Sequence, residues 1–148
     1  TAGSRRMASN NWLRQNPEET PMTKIEALSQ VRHAKSAHIR WCAYVQAMVA
    51  GLEIEEQRAP VHQKDSDFGQ WFYGEGFKTF GHWQIYQDVE YGHEMLHEVY
   101  QLLHRVLGEG DQTRAAMIMA QLVGISHSLL AAMDLLEEEI RLAATDHF

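Results

Sequence analysis

Between Ala115 and Ile140 the apolar residues Ala115, Ile118, Leu122, Ile125, Leu129, Met133, Leu136 and Ile140 recur at a steady spacing of three and four. Only an α-helix gathers such positions on one face, and a stripe this long must be covered by other helices. This helix should start near Asp111. Two further segments share the period. Ile25, Leu28, Val31, Trp41, Val45, Met48, Val49 and Leu52 predict one long helix, opened by Thr23 and Glu26 as a capping box. Val89, Leu96, Tyr100, Leu103 and Leu107 predict another over 83–107, closed by Gly108 and Gly110. The polar stretch from Glu56 to Asp67, which contains Pro60, reads as a loop. A short aromatic helix follows over Phe68 to Tyr73, stopped by Gly74 and Gly76, with a connection over 77–82. No segment shows strand-like alternation. The expected fold is all-α: an antiparallel four-helix bundle with a short aromatic helix between the long helices. It occupies 23–145 as one domain, and residues 1–22, polar and opening with Thr-Ala-Gly-Ser-Arg-Arg, are expected to be a disordered or vector-derived tail.

Charge narrows the partners. The net charge is −7, and no basic cluster exists beyond Arg5-Arg6, so an electrostatic grip on nucleic acid or on an anionic membrane is not expected. Cys42 is the only cysteine, which excludes an intrachain disulfide and fits a reducing compartment, the cytoplasm. No uncharged apolar run approaches the roughly 18–20 residues that span a bilayer, and no signal-peptide pattern opens the chain. A chain of 148 residues can bury a core unaided, so any metal would be functional or local in its effect.

The nine histidines carry the chemical information. His93 and His97 stand four apart on a helix, so both imidazoles project from one face, about 5–6 Å apart at Cβ. His38 lies in the apolar stripe of the first helix, where a polar ring needs a partner. A lone buried histidine is ordinarily satisfied by a neighbouring polar group. If the first helix packs on the one carrying His93 and His97, three neutral imidazoles make a plausible zinc shell. His62, His82 and His104 are expected at the surface, with His33 and His127 undecided. Trp41, Phe68, Trp71, Phe72 and Tyr73 should pack around the site, and Glu137 to Glu139 should form a solvated face.

Three separated elements then carry a resemblance: His38-Ile-Arg-Trp41; Ser66-Asp-Phe-Gly-Gln-Trp71, followed by Tyr73-Gly-Glu-Gly76; and His93-Glu-Met-Leu-His97. In order and spacing they resemble the bacterial chemoreceptor zinc-binding (CZB) domain family, over about Ile25 to Leu107. The resemblance implies a four-helix bundle holding zinc through three histidines and a cysteine, in cytoplasmic proteins that sense metal or oxidants and adjust chemotaxis or cyclic-di-GMP signalling. The matching residues for the histidines are His38, His93 and His97.

At the position of the family's cysteine stands Ser66, whose hydroxyl stays protonated at neutral pH and cannot replace a thiolate. Asp65 and Asp67 flank it, and a carboxylate would complete a set of three histidines and one aspartate. Asp67 with Gln70 could equally cap the short helix. Cys42, one turn after His38, is a second candidate, and water a third. Zinc is the expected metal, with nickel, cobalt and copper suiting such ligands nearly as well. With ordinary pKa values near 6.5, the imidazoles should release metal below about pH 6. The expected function is a zinc-binding sensory or regulatory domain, not an enzyme, acting on a separate signalling protein or by pairing with a second copy. A hydrolase with zinc-bound water, using Glu94, Asp65 or Asp67 as base, and a metal-free structural bundle are the alternatives.

Overall fold

The structure, a computed structural model, describes residues 21–148. The tail expected over 1–22 lies outside the described residues apart from its last two. Five α-helices follow: α1 (Lys24–Val49), α2 (Asp67–Tyr73), α3 (Glu75–Phe80), α4 (Gln84–Gly108) and α5 (Gln112–Leu142), with a 3₁₀ turn at Glu56–Arg58. Thr23 caps α1 by accepting from the Glu26 amide at 3.2 Å. The helix ends three residues before Leu52. Gly51 takes φ +94°, the Gly51 amide bonds the Met48 carbonyl, and the Leu52 amide reaches back to Ala47, both at 3.0 Å. This is a Schellman stop, and it leaves Leu52 exposed. Gly110, at φ +78°, ends α4 in the same way, and Asp111 then caps α5 through the Arg114 amide at 3.0 Å.

The described residues are all-helical, with helices packed against one another. α4 lies along α5, α5 along α1, and the short α2 rests on α1 beside α3. α3 corrects the connection expected over 77–82: Gly74 ends α2 but at once precedes a new helical turn. Gly76 is required there by close approach, because a Cβ would meet the Tyr86 hydroxyl and the Trp71 ring. The core is continuous, from Ala27, Val31 and Val45 of α1 through Leu96 and Leu103 of α4 to Leu122, Leu129, Leu136 and Ile140 of α5. Ile25, placed in the stripe by its spacing, is exposed, since the buried face of α1 runs through Ala27, Val31, Ala34, His38, Trp41 and Val45 and Ile25 lies off it.

Two edges depart from expectation. Glu137 is half-buried rather than solvated, accepting from Lys35 at 3.1 Å with Arg32 at 3.7 Å, while Lys35 also pairs with Asp134. Met22 and Phe148 exchange backbone hydrogen bonds of 3.1 and 2.8 Å, and the Phe148 ring lies 5.6 Å from Phe80. Met22 and residues 146–148 therefore pack with the domain expected over 23–145. α5 is also long and apolar enough by composition to cross a membrane, with mean hydropathy 1.6 over 18 residues, a third of them buried. The expectation that no segment approaches that length is corrected, although a core helix meets the same measure.

Candidate functional site

α1 delivers His38 and α4 delivers His93 and His97, with relative exposures of 2, 1 and 2 %. Their helical spacing turns all three inward, and aromatic rings wall them in. The His93 and His97 rings lie 4.6 Å apart. Phe68 stands 4.7 Å from His93 and 6.0 Å from His38, while Trp41 lies 4.9 Å from His97 and stacks on His38 at 5.9 Å.

Hydrogen bonds decide what each ring can offer. His97 Nδ1 lies 2.8 Å from the Val61 carbonyl oxygen. A carbonyl only accepts, so Nδ1 carries the proton and Nε2 keeps its lone pair, as in an imidazole held by an outer partner. His38 Nε2 lies 2.7 Å from the Ser126 hydroxyl on α5, and Cys42 Sγ donates to the same oxygen at 3.6 Å. His93 Nδ1 is buried with no partner, alone in this respect among the side-chain nitrogens and oxygens of the described residues. An orphaned buried nitrogen costs about 1–3 kcal/mol, so something should satisfy it.

Burial holds the rings neutral. It pushes His38 down to about 4, helped by His97, and His93 down to about 2, helped by His97 and then His38. It also takes His97 to about 4, against the raising effect of the Val61 bond, with His62 lowering it further. Neutral imidazole is the metal-binding form. Burial extends that neutral form below the ordinary imidazole range.

The loop before α2 is held carbonyl by carbonyl. Tyr100 Oη donates to Ala59 at 2.8 Å, Trp41 Nε1 to Pro60 at 3.3 Å, and His97 to Val61. Ser66, 3 % exposed, caps α2: its hydroxyl accepts from the Gly69 amide at 3.0 Å and donates to the Gln63 carbonyl at 3.2 Å. A Cβ at position 69 would run into that same carbonyl, which is why glycine stands there. The cap expected from Asp67 is thus made by Ser66, and Gln70 instead reaches the Asp65 carbonyl at 3.4 Å.

Asp65 and Asp67 are exposed. Ser66 is extended at φ −71° and ψ 153°, so when its side chain turns inward its neighbours turn outward. Asp67 lines a cavity of about 220 Å³ with Arg40, Trp41 and Arg58, and Asp65 borders Pro60 and His62. The structure brings together His38, His93 and His97 and leaves both aspartates outside, correcting the expected carboxylate. His33, His62, His82, His104 and His127 are exposed. Among the described residues, no group of three or more His, Cys, Asp or Glu side chains is arranged to hold a metal ion.

Ser126 was not foreseen. Its signal was a polar residue in the α5 stripe: Ser126 is 4 % exposed, whereas the neighbouring Ile125, assigned to that stripe, is half-buried. The Val61 carbonyl left no trace in the sequence. No protein-family model matches this chain, and no curated protein or solved structure matches it.

Proposed function

We propose that this chain is a zinc-binding regulatory domain of bacterial signal transduction, cytoplasmic, without catalytic activity, and akin to the CZB domains of chemotaxis and cyclic-di-GMP signalling. The observation that carries the reading is the convergence of three buried, neutral imidazoles, one with an unsatisfied nitrogen. His38, His93 and His97 would hold the ion, and zinc would supply a cross-link between α1 and α4 without redox chemistry. Burial of all three rings argues against a hydrolase, which needs room for substrate beside the metal. We further propose that the helices form an antiparallel four-helix bundle in which α2 and α3 together serve as one element. The readout is helix packing, passed to a signalling protein or a second copy of the chain.

The metal-free bundle is the second reading, favoured by the hydrogen bonds that already engage His38 and His97 and by the lack of a ligating arrangement among the described residues. Elemental mass spectrometry of the purified chain separates the two. Zinc at one equivalent, lost in a His93→Ala, His97→Ala double variant, supports the zinc domain. No zinc retained even after its addition, with an unchanged circular dichroism spectrum, supports the bundle.

A further inference from the structure

Away from the histidine cluster, opposite charges surround a cavity without neutralising one another. Arg40, Arg58 and Asp67 all line the cavity of about 220 Å³ between α1 and the loop that precedes α2. Arg58 is fixed at its rim by Tyr44: Nη1 donates to the Tyr44 hydroxyl at 2.9 Å, and Cζ lies over the ring at 5.5 Å. Its acidic neighbour is Glu55, at 4.0 Å. Arg40 and Asp67 form no ion pair with each other or with any other described residue. Asp67 is also free of helix capping, which Ser66 performs. A second cavity, of about 350 Å³, adjoins the first at Ala37, Arg40 and Asp67 and runs along α1 past Ala34 to Trp71. The Trp71 Nε1 is already satisfied, donating to Gln30 at 3.0 Å, so its ring is an apolar wall.

The groove therefore offers two guanidinium groups, one carboxylate beside them and an apolar end. Together the two hollows reach the size of small-molecule sites, about 300–1,000 Å³. A simple anion would meet Asp67 with like charge, and a simple cation would meet both arginines. A ligand with a carboxylate and an ammonium on one carbon answers both signs. We propose that this groove binds a free α-amino acid with an apolar side chain. Its carboxylate lies with Arg40 and Arg58, whose forked donors match a planar carboxylate, its ammonium lies on Asp67, and its side chain follows Ala34 and Ala37 towards Trp71. The inference does not rest on the zinc reading. Trp41 joins the two sites: it lines the groove, its Nε1 holds the Pro60 carbonyl at 3.3 Å, and its ring lies 4.9 Å from His97. A bound amino acid braces the loop over the histidines and gives the domain a second input.

L-leucine is the probe, beside 4-methylpentanoate, which lacks the ammonium, and 3-methylbutylamine, which lacks the carboxylate. Binding to the purified full chain is followed by titration calorimetry and by the indole N–H resonances of Trp41 and Trp71. The expected result is one L-leucine per chain with Kd at or below about 1 mM and both resonances shifted. Either analogue should bind at least about 10-fold more weakly, as should L-leucine to Arg40→Gln or Asp67→Asn, the loss of one charged contact. Both variants should keep the parent's midpoint in urea, because neither side chain is paired within the described residues. Neither heat nor shift with L-leucine or L-phenylalanine at about 10 mM overturns the proposal. Equal binding of 4-methylpentanoate with no effect of Asp67→Asn overturns it too, making the groove a site for simple carboxylates. L-leucine binding that neither variant weakens places the ligand elsewhere and overturns it as well.

Discussion

The histidine region and the alkyl region of this molecule are equally buried but are held by different forces. Around His38, His93 and His97 four rings have a directional partner, Tyr100 on Ala59, Trp41 on Pro60, His97 on Val61 and His38 on Ser126, while His93 Nδ1 has none. Along α5 the buried residues from Leu129 to Ile140 have none and are fixed by volume alone. Directional contacts fail abruptly when one atom is removed, whereas volume contacts yield gradually, so the first region should respond sharply to the loss of one group and the second weakly.

The largest contrast should come from pH. In the metal-free chain the three buried rings have folded-state pKa values below the ordinary 6.5, so the unfolded chain binds protons first as pH falls. Stability is fully present above about pH 6.5 and is lost on descent toward pH 4, by up to about 1.4 kcal/mol per pH unit for each ring. Urea melts at pH 7, 6 and 5 should show this slope, and His93→Gln should make it shallower by about a third. A flat profile would mean that the rings are not held neutral. Next in size, Tyr100→Ala should cost about 3–5 kcal/mol, since it removes a core ring and strips the Ala59 carbonyl of its donor.

Smaller effects sharpen the boundary between the regions. Ser126→Ala leaves His38 Nε2 without its partner and should cost about 1–3 kcal/mol in urea denaturation of the metal-free chain. An unchanged midpoint would place Ser126 on the alkyl side of the comparison. Smallest of all, Leu129→Met, in the volume-held region, should cost under about 1.5 kcal/mol by the same measurement.

What the sequence made legible follows the same division. The long helices were readable because spacing alone decides them, His38 because an imidazole in an apolar stripe is chemically conspicuous, and the pairing of His93 with His97 because a spacing of four puts both on one helix face. The aspartates misled because proximity in sequence does not decide orientation: at an extended helix cap, residues 65 and 67 turn away when 66 turns in. α3 was hidden by Gly74 and Gly76, which signalled a stop, although Gly76 is there for close packing on Tyr86 and Trp71. Ser126 required knowing which residue of α5 faces α1, and the loop carbonyls belong to backbone, which carries no residue code.

The row of three carbonyls from Ala59 to Val61 has a consequence for speed. Each is gripped from a different turn of α1 or α4, and the same side chains, Trp41 and His97, touch the buried rings. An excursion that lifts this loop must break those grips together, so it is rare and cooperative rather than a fraying. Solvent entry to the buried rings beneath the loop is then clocked by that opening.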